Sequence, residues 1–276
     1  LSEARLTPLI GALAFGVTGQ FLNSVIAAES LRLAGQPIAL RSVYRIIALG
    51  GLAKFIPGGV WQIGSQYGLG RSEGLDFRSS MLAWVEPTAF NVTVGGGLAL
   101  LAATSVDYGV SPLLFVALAI VSLGASTNPV RHRIYRLVGL AQRVPPASET
   151  WTGWPQRFFL TVAIIALTGL GGMLVIEAFG LPNPGFLGCV AAFVGAWVVG
   201  VVVFPVPGGL GVREGALVIA LSPWMSAPEA ALVATAGRLV AVAAELLAAM
   251  VAVAIRPGHT RPGQRHRPET TSSGPK

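Results

Sequence analysis

The sequence predicts an all-α, polytopic helical membrane protein. Hydrophobic residues make up 53% of its 276 residues and charged residues only 11%, with a mean hydropathy of +0.68. Soluble domains carry about 25% charged residues. Several stretches of roughly 20 residues contain almost no charge, which suits helices that cross a bilayer, and they hold too much Gly and Ala for strands. Because two Pro-Gly-Gly sequences also interrupt apolar segments, we expect about six spanning helices and two re-entrant or broken hairpins in an inverted repeat.

The predicted spans are long apolar segments bordered by proline, glycine or charged residues. In chain order they are Pro8–Glu29, Ser79–Thr104, Ser111–Asn128, Arg157–Phe179, Pro184–Phe204 and Pro228–Ile255. The third is an odd helix that allows the second half to be inverted relative to the first. We therefore expect one transmembrane domain over 1–255, with halves at 8–104 and 157–255 and a linking helix at 111–128.

Positive charge sets the predicted orientation. Lys and Arg concentrate on the cytoplasmic side of membrane proteins. Most of the 19 basic residues fall on one side when spans are counted outward from the arginine-rich loop 131–157. The segment 256–276 is rich in Pro, Gly, Arg, Ser and Thr and cannot form a core. We expect a multi-pass protein of the cell membrane with a disordered, basic, cytoplasmic tail.

The first break is predicted to form a re-entrant hairpin. Arg45 and Arg71 both belong to the basic side, yet the residues between them are largely apolar. The segment must then enter and leave on one side, as the half-helices Ile46–Ile56 and Val60–Gly70. Pro57, Gly58 and Gly59 would form its tip, since proline lacks a backbone donor and glycine is costly inside a helix.

The second hairpin is predicted to dip from the opposite side, over Pro184–Ser222, with Pro207, Gly208 and Gly209 near its turn. A half-helix beginning at about Leu210 would direct free N–H groups and a positive dipole end into the membrane, which favours an anion there. Arg213 adds positive charge, and a lipid phosphate, Glu86 or Glu214 would answer it. The alternative is a glycine-rich kink for close helix packing.

Glu86, Arg238 and Glu245 are charged residues that lie well inside predicted spans, away from the span ends. Glu86 and Arg238 occupy near-equivalent positions after the two Pro-Gly-Gly sequences, and Glu245 lies seven residues after Arg238 on the same helical face. Because intramembrane charges usually face a cavity or a partner, we hypothesise that Glu86 and Arg238 meet near the repeat axis. The alternatives are a buried structural ion pair and an Arg238–Glu245 pair along one helix. The predicted lipid- or anion-binding residues are Pro57, Gly58, Gly59, Gln62, Glu86, Pro207, Gly208, Gly209, Arg213, Glu214, Arg238 and Glu245.

Several classes of function lack their residues in this sequence. No Ser-His-Asp set, paired catalytic carboxylates or Cys/His cluster is present, and Cys189 is the only cysteine. The basic residues lie mostly in loops between spans rather than in a nucleic-acid-binding patch. We therefore expect no enzymatic activity, no cofactor, no metal site and no nucleic acid partner.

The motifs resemble those of the lysylphosphatidylglycerol synthase transmembrane-region family, over roughly Leu6–Ile255. The resemblance rests on Lys54–Trp61, Glu86, Pro205–Gly215 and Arg238. It implies a flippase-like integral membrane protein associated with moving aminoacylated phospholipids or related lipid-linked molecules across the cytoplasmic membrane. It also implies one further N-terminal helix, which the sequence lacks. Members that make the aminoacyl lipid carry a cytosolic synthase domain, and none follows Ile255, so we expect no lipid synthesis by this chain.

The leading functional hypothesis is a flippase-like transporter that binds an anionic phospholipid or polyprenyl-linked headgroup between the inverted halves. One alternative is a non-transporting membrane partner of a cell-envelope lipid synthase or glycosyltransferase. Another is an ion-coupled transporter of a small solute, with Glu86 and Glu245 as proton carriers.

Overall fold

The structure is a computed structural model that describes residues 5–56, 61–126, 153–203 and 211–255, where all regular elements are helical. The α-helices are α1 (Leu6–Leu33), α2 (Leu40–Gly51), α3 (Trp61–Ser72), α4 (Phe77–Phe90), α5 (Gly96–Ala103), α6 (Pro112–Ala125), α7 (Trp154–Ala178), α8 (Gly185–Cys189), α9 (Gly195–Val202), α10 (Val212–Leu221) and α11 (Ala227–Ala254). A 3-10 turn, Leu52–Phe55, extends α2. Two π-helical segments, Asn91–Gly95 and Val190–Val194, join α4 to α5 and α8 to α9.

Four described helical runs are long and apolar enough to cross a membrane: Leu6–Leu33, Trp154–Ala178, Gly185–Val202 and Ala227–Ala254. Helix α6 is apolar but shorter. The run 77–103 is also continuous, because the π-helical segment joins α4 to α5 without a break. The predicted all-α, polytopic membrane protein is confirmed.

Local sequence sets the helix ends. The Asp76 side chain accepts a hydrogen bond from Ser79 N at 2.9 Å and caps the start of α4. At the start of α11, Ser226 and Glu229 form a capping box, in which Glu229 Oε2 accepts from Ser226 N at 2.8 Å. Helices α6, α7 and α11 each carry proline in the first turn, where its missing donor costs nothing.

The first hairpin enters and leaves the helix bundle on one side. Helices α2 and α3 pack together, and Ser42 Oγ donates to Glu73 Oε2 at 2.8 Å, which joins the beginning of α2 to the end of α3. Gly50 allows the close approach, since a Cβ there would lie 2.5 Å from Gln66 Cγ. The first arm begins at Leu40 rather than the predicted Ile46. Arg41 is exposed while the next residues of α2 are buried, so this first part of α2 belongs to one amphipathic helix. The positive charge of Arg41 and Arg45 alone predicted a loop there.

The second hairpin is built similarly from Gly185–Val202 and α10. Its arms touch at Gly200, where a Cβ would lie 3.0 Å from Arg213 Cβ. Its outer ends also meet, since a Cβ on Gly188 would lie 3.2 Å from a ring carbon of Trp224. The second arm begins at Val212, and Gly211 precedes it with a φ of 80° that suits glycine.

The opening helices of the two proposed halves run antiparallel. Arg5 N donates to Ala178 O at 2.9 Å, and a Cβ on Gly153 would touch the side chain of Leu33, so each end of α1 meets the opposite end of α7. Each hairpin's first arm also packs on the long helix of the other half, α2 on α11 and Val190–Val194 on α5. The division into inverted halves stays a prediction, and these contacts support it.

Candidate functional site

A polar chamber of about 370 Å³ lies between α1, both hairpins, α4 and α11. Its charged lining consists of Lys54, Arg213, Arg238 and Glu245, among the described residues. Its remaining polar and tryptophan lining consists of Gln20, Asn23, Gln62, Gln66, Trp84, Thr88, Asn91 and Trp197. The chamber is therefore a polar space among helices that are long and apolar enough to cross a membrane, and charged side chains within a membrane are costly unless they are paired or serve a ligand.

Residues on both sides of each hairpin tip line this chamber. Lys54 and Gln62 flank the first tip, and Val203 and Arg213 flank the second. The tips themselves, Pro57, Gly58 and Gly59 in one hairpin and Pro207, Gly208 and Gly209 in the other, lie outside the described residues. Their role in binding stays a prediction, but the chain on either side of both tips borders one cavity.

Two ion pairs connect α11 to the two hairpins. Lys54 Nζ lies 2.6 Å from Glu245 Oε1, and these side chains are 27% and 16% exposed. Arg238 Nε lies 3.7 Å from Glu214 Oε1, while the other oxygen of Glu214 accepts from Gly211 N at 2.7 Å. The ring of Phe55 lies between the two pairs, 5.3 Å from Lys54 Nζ and 5.9 Å from Arg238 Cζ. The predicted alternative of an Arg238–Glu245 pair is not formed.

Arg213 also lines the chamber but belongs to neither of these two ion pairs. Among the described residues, no carboxylate oxygen lies within 4 Å of its guanidinium, although the charges of Glu214, Glu245 and Arg238 act on it from further away. Its stem passes Gly200, where a larger residue would block it. Of the residues that the structure describes, three cations and one carboxylate line the chamber, and positive charge is still in excess when Glu214 is added.

Three acceptor atoms around the chamber are buried and have no hydrogen-bond partner among the described residues. They are Gln66 Oε1, Asn91 Oδ1 and Glu245 Oε2. Asn91 is 8% exposed, lines the chamber, and donates through Nδ2 to Asn23 Oδ1 at 2.6 Å. Because buried polar atoms are normally satisfied, these acceptors suit a ligand that supplies hydroxyl or ammonium donors.

Glu86 lies outside the chamber, and the hypothesis that it meets Arg238 is wrong. Glu86 Oε1 lies 3.3 Å from Arg157 Nη1, and the two side chains are 4% and 1% exposed. Arg157 also donates through Nε to Gly153 O at 3.1 Å and packs 5.0 Å from the centre of the Phe90 ring. The physical reason is the start of α7 at Trp154, which carries Arg157 into the bundle rather than into a cytoplasmic loop.

An apolar slot of about 220 Å³ continues from the chamber between α1, α7, the second hairpin and α11. Its walls contain many small residues, including Gly16, Gly19, Gly171, Gly172 and Gly237. The residues that border both spaces are Gln20, Asn23, Asn91, Trp197, Arg213 and Glu245. The site therefore consists of a charged space and an apolar space that meet beside Arg213.

Sequence reasoning placed Gln62, Arg213, Arg238 and Glu245 among the site residues, and all four line the chamber, with Glu214 directly behind Arg238. It missed several others, namely Lys54, Gln20, Asn23, Gln66, Asn91 and Trp197. Lys54 carried a usable signal, since it is a charge within an apolar segment. The amides gave a weaker signal, because Gln20 and Asn23 are polar residues three positions apart on one face of α1.

Comparison with known proteins gives a family match over most of the chain. The family model described as the lysylphosphatidylglycerol synthase TM region matches residues 2–249. No curated protein matches the sequence.

Within the described residues, no group of three or more His, Cys, Asp or Glu side chains could hold a metal ion.

Proposed function

The chain belongs to the family of the lysylphosphatidylglycerol synthase TM region, and we propose that it is a flippase-like lipid transporter. Its polar chamber would bind the anionic headgroup of a phospholipid or a lipid-linked molecule at the interface of the two proposed halves. The observation that carries the proposal is that Arg213 lines the chamber and, among the described residues, has no carboxylate oxygen within 4 Å of its guanidinium.

A phosphate suits this chamber for two physical reasons. A guanidinium without a carboxylate partner is costly in a medium of low dielectric constant, and an anion removes that cost. Arginine also binds phosphate through two parallel hydrogen bonds, which gives geometric selectivity. The free oxygens of Gln66, Asn91 and Glu245 would accept hydrogen bonds from the hydroxyl or amino groups of the headgroup.

Transport would follow from movement of the two halves around this chamber. In transporters built from inverted repeats, substrate lies between the repeats near the bilayer midplane, and rocking opens the site to each side in turn. Here the chamber is bordered by a hairpin from each half and by α1 and α11. The headgroup would therefore pass between leaflets while its charge stays beside Arg213 and Arg238.

The proposal is tested by leaflet-resolved exchange of labelled lipids in liposomes that contain the purified protein. We expect fluorescent phosphatidylglycerol to exchange at least tenfold faster than in protein-free liposomes. Arg213→Gln should reduce the added rate by roughly ten- to one-hundredfold, because losing a hydrogen bond to a charged group costs about 1.5–3 kcal/mol. Arg71→Gln is the matched control, since Arg71 is exposed and lines neither cavity.

The outcomes separate the functional alternatives. No exchange of phosphatidylglycerol or of a polyprenyl phosphate would contradict transport. Binding of these lipids without exchange would favour the auxiliary role beside a cell-envelope synthase or glycosyltransferase. An equal effect of Arg213→Gln and Arg71→Gln would contradict the assignment of the anion to the chamber.

A further inference from the structure

The apolar slot and the polar chamber form one amphipathic cavity with its boundary at Arg213. Six of the described residues border both spaces, and they include Arg213 and Asn91, whose Oδ1 has no hydrogen-bond partner in the described part of the chain. Beyond this boundary the slot is lined almost entirely by apolar or small side chains. A polar ligand alone would leave the slot unfilled, and an apolar ligand alone would leave the Arg213 guanidinium without an anion.

We infer that the slot holds one hydrocarbon chain of the lipid whose phosphate binds at Arg213. This inference rests on the proposed function and adds a second binding subsite to it. The lipid would then lie partly inside the protein, with its headgroup toward Lys54 and Gln62 and one chain between α1 and α7. It would not leave both chains in the surrounding bilayer while the headgroup alone enters.

The size and walls of the slot suit a single chain. Its volume of about 220 Å³ is below the roughly 300–1,000 Å³ of pockets that enclose a whole drug-sized ligand. Glycines in the walls leave the space of the slot open because they have no side chain. A Cβ on Gly19 would meet no atom within 4 Å, and a Cβ on Gly171 would meet only Ala12 O at 3.9 Å. These two positions therefore face free space within the slot.

The test fills the slot without disturbing the protein around it. Gly19→Leu and Gly171→Leu place side chains in that free space, and Gly195→Leu is the matched control. Gly195 also lies in an intramembrane helix, a Cβ there meets nothing within 4 Å, and it lines neither cavity. Binding to detergent-purified protein is measured for dioctanoyl phosphatidylglycerol and for glycerophosphoglycerol, which has the same headgroup and no chains.

We expect both slot variants to weaken dioctanoyl phosphatidylglycerol binding at least tenfold, and to keep glycerophosphoglycerol affinity within twofold of the unsubstituted chain. Gly195→Leu should change neither affinity. Unchanged binding of the dioctanoyl lipid by both slot variants would overturn the inference. Failure of the proposed function looks different, because Arg213→Gln would then leave the affinity for both probes unchanged.

A second measurement needs no substitution and so does not depend on the folding of the leucine variants. Phosphatidylglycerol with a photoactivatable diazirine in one chain is cross-linked to the unsubstituted protein, and the labelled peptides are identified by mass spectrometry. We expect labels on the slot faces of α1 and α7, at or beside Gly19 and Gly171. Labels confined to outward-facing residues, such as Phe159 and Leu239, would contradict a chain inside the slot.

Discussion

At the scale of single residues, the Glu86–Arg157 pair is the most deeply buried ion pair among the described residues. Removing one partner of such a pair leaves an uncompensated charge and costs about 3–5 kcal/mol. We expect Glu86→Gln to lower the free energy of unfolding by about that amount, measured by denaturation of the purified protein in detergent. Glu177→Gln is the control on an exposed carboxylate, and its effect should stay within about 0.5 kcal/mol.

Removing both charges of this pair should cost less than removing one. In Glu86→Leu with Arg157→Met, neither member of the pair stays charged opposite an uncharged one, and apolar replacements of a buried pair are often neutral or stabilising. We expect the double variant to unfold at a higher denaturant concentration than either single variant. A double variant as unstable as the sum of the singles would show that the two residues act independently.

The sequence indicated which charges lie in the membrane but could not indicate their partners. The partners of Glu86 and Lys54 are 71 and 191 residues away along the chain, and nothing local relates them. A small boundary error also mattered. Arg157 was counted as a loop residue, whereas α7 begins three residues earlier and carries it into the bundle.

At the scale of elements, the sequence was far more informative. Each predicted span corresponds to a helical run in the structure, because the length of an apolar segment and its Pro, Gly or capping borders are local properties. The first arm of the first hairpin was the exception. Arg41 and Arg45 are predicted to lie in a loop, although a helix that begins at the membrane surface can keep the exposed side chain of Arg41 in water.

The re-entrant geometry of the first hairpin makes a prediction about sidedness. Arg41 and Ser72 are exposed near the two outer ends of this hairpin. In a Cys189→Ala background, we expect Arg41→Cys and Ser72→Cys to react with a membrane-impermeant maleimide from the same side of the membrane. Labelling from opposite sides would mean that the segment crosses the bilayer and would contradict the hairpin.

The opposite surface supplies the control for this experiment. Tyr108 Oη donates to Ala220 O at 3.1 Å, so the connection between α5 and α6 lies beside the end of α10. Asp107 and Ser222 are exposed there. We expect Asp107→Cys and Ser222→Cys to react together, from the side opposite to Arg41→Cys and Ser72→Cys.

At the scale of the whole molecule, the two chamber ion pairs differ in what they connect. Lys54 belongs to the first proposed half and Glu245 to the second, whereas Arg238 and Glu214 both belong to the second. If the halves rock, the Lys54–Glu245 pair must change while the Arg238–Glu214 pair moves as part of one body. A bound phosphate could therefore influence the interface between the halves through Glu245, which borders both cavities.

Rocking of the halves can be stopped by a reversible covalent link between them. A Cβ on Gly16 of α1 would lie 2.8 Å from Ala244 Cβ of α11, and one on Gly70 of α3 would lie 3.2 Å from Ser80 Cβ of α4. Both separations are shorter than the roughly 3.5–4.5 Å of disulfides, so both cysteine pairs should oxidise once the helices in each pair move slightly apart. The first pair joins the two halves, and the second lies within one half.

In a Cys189→Ala background, we expect oxidation of Gly16→Cys with Ala244→Cys to abolish leaflet exchange of phosphatidylglycerol, and reduction to restore it. The reduced form of the same variant gives the reference rate, since both residues also line the slot. Oxidation of Gly70→Cys with Ser80→Cys should leave exchange unchanged, because neither position lines a cavity and the link does not cross between the halves. If exchange continues while the Gly16→Cys and Ala244→Cys pair is oxidised, transport does not require relative movement of α1 and α11. Lipid would then have to cross a rigid chamber.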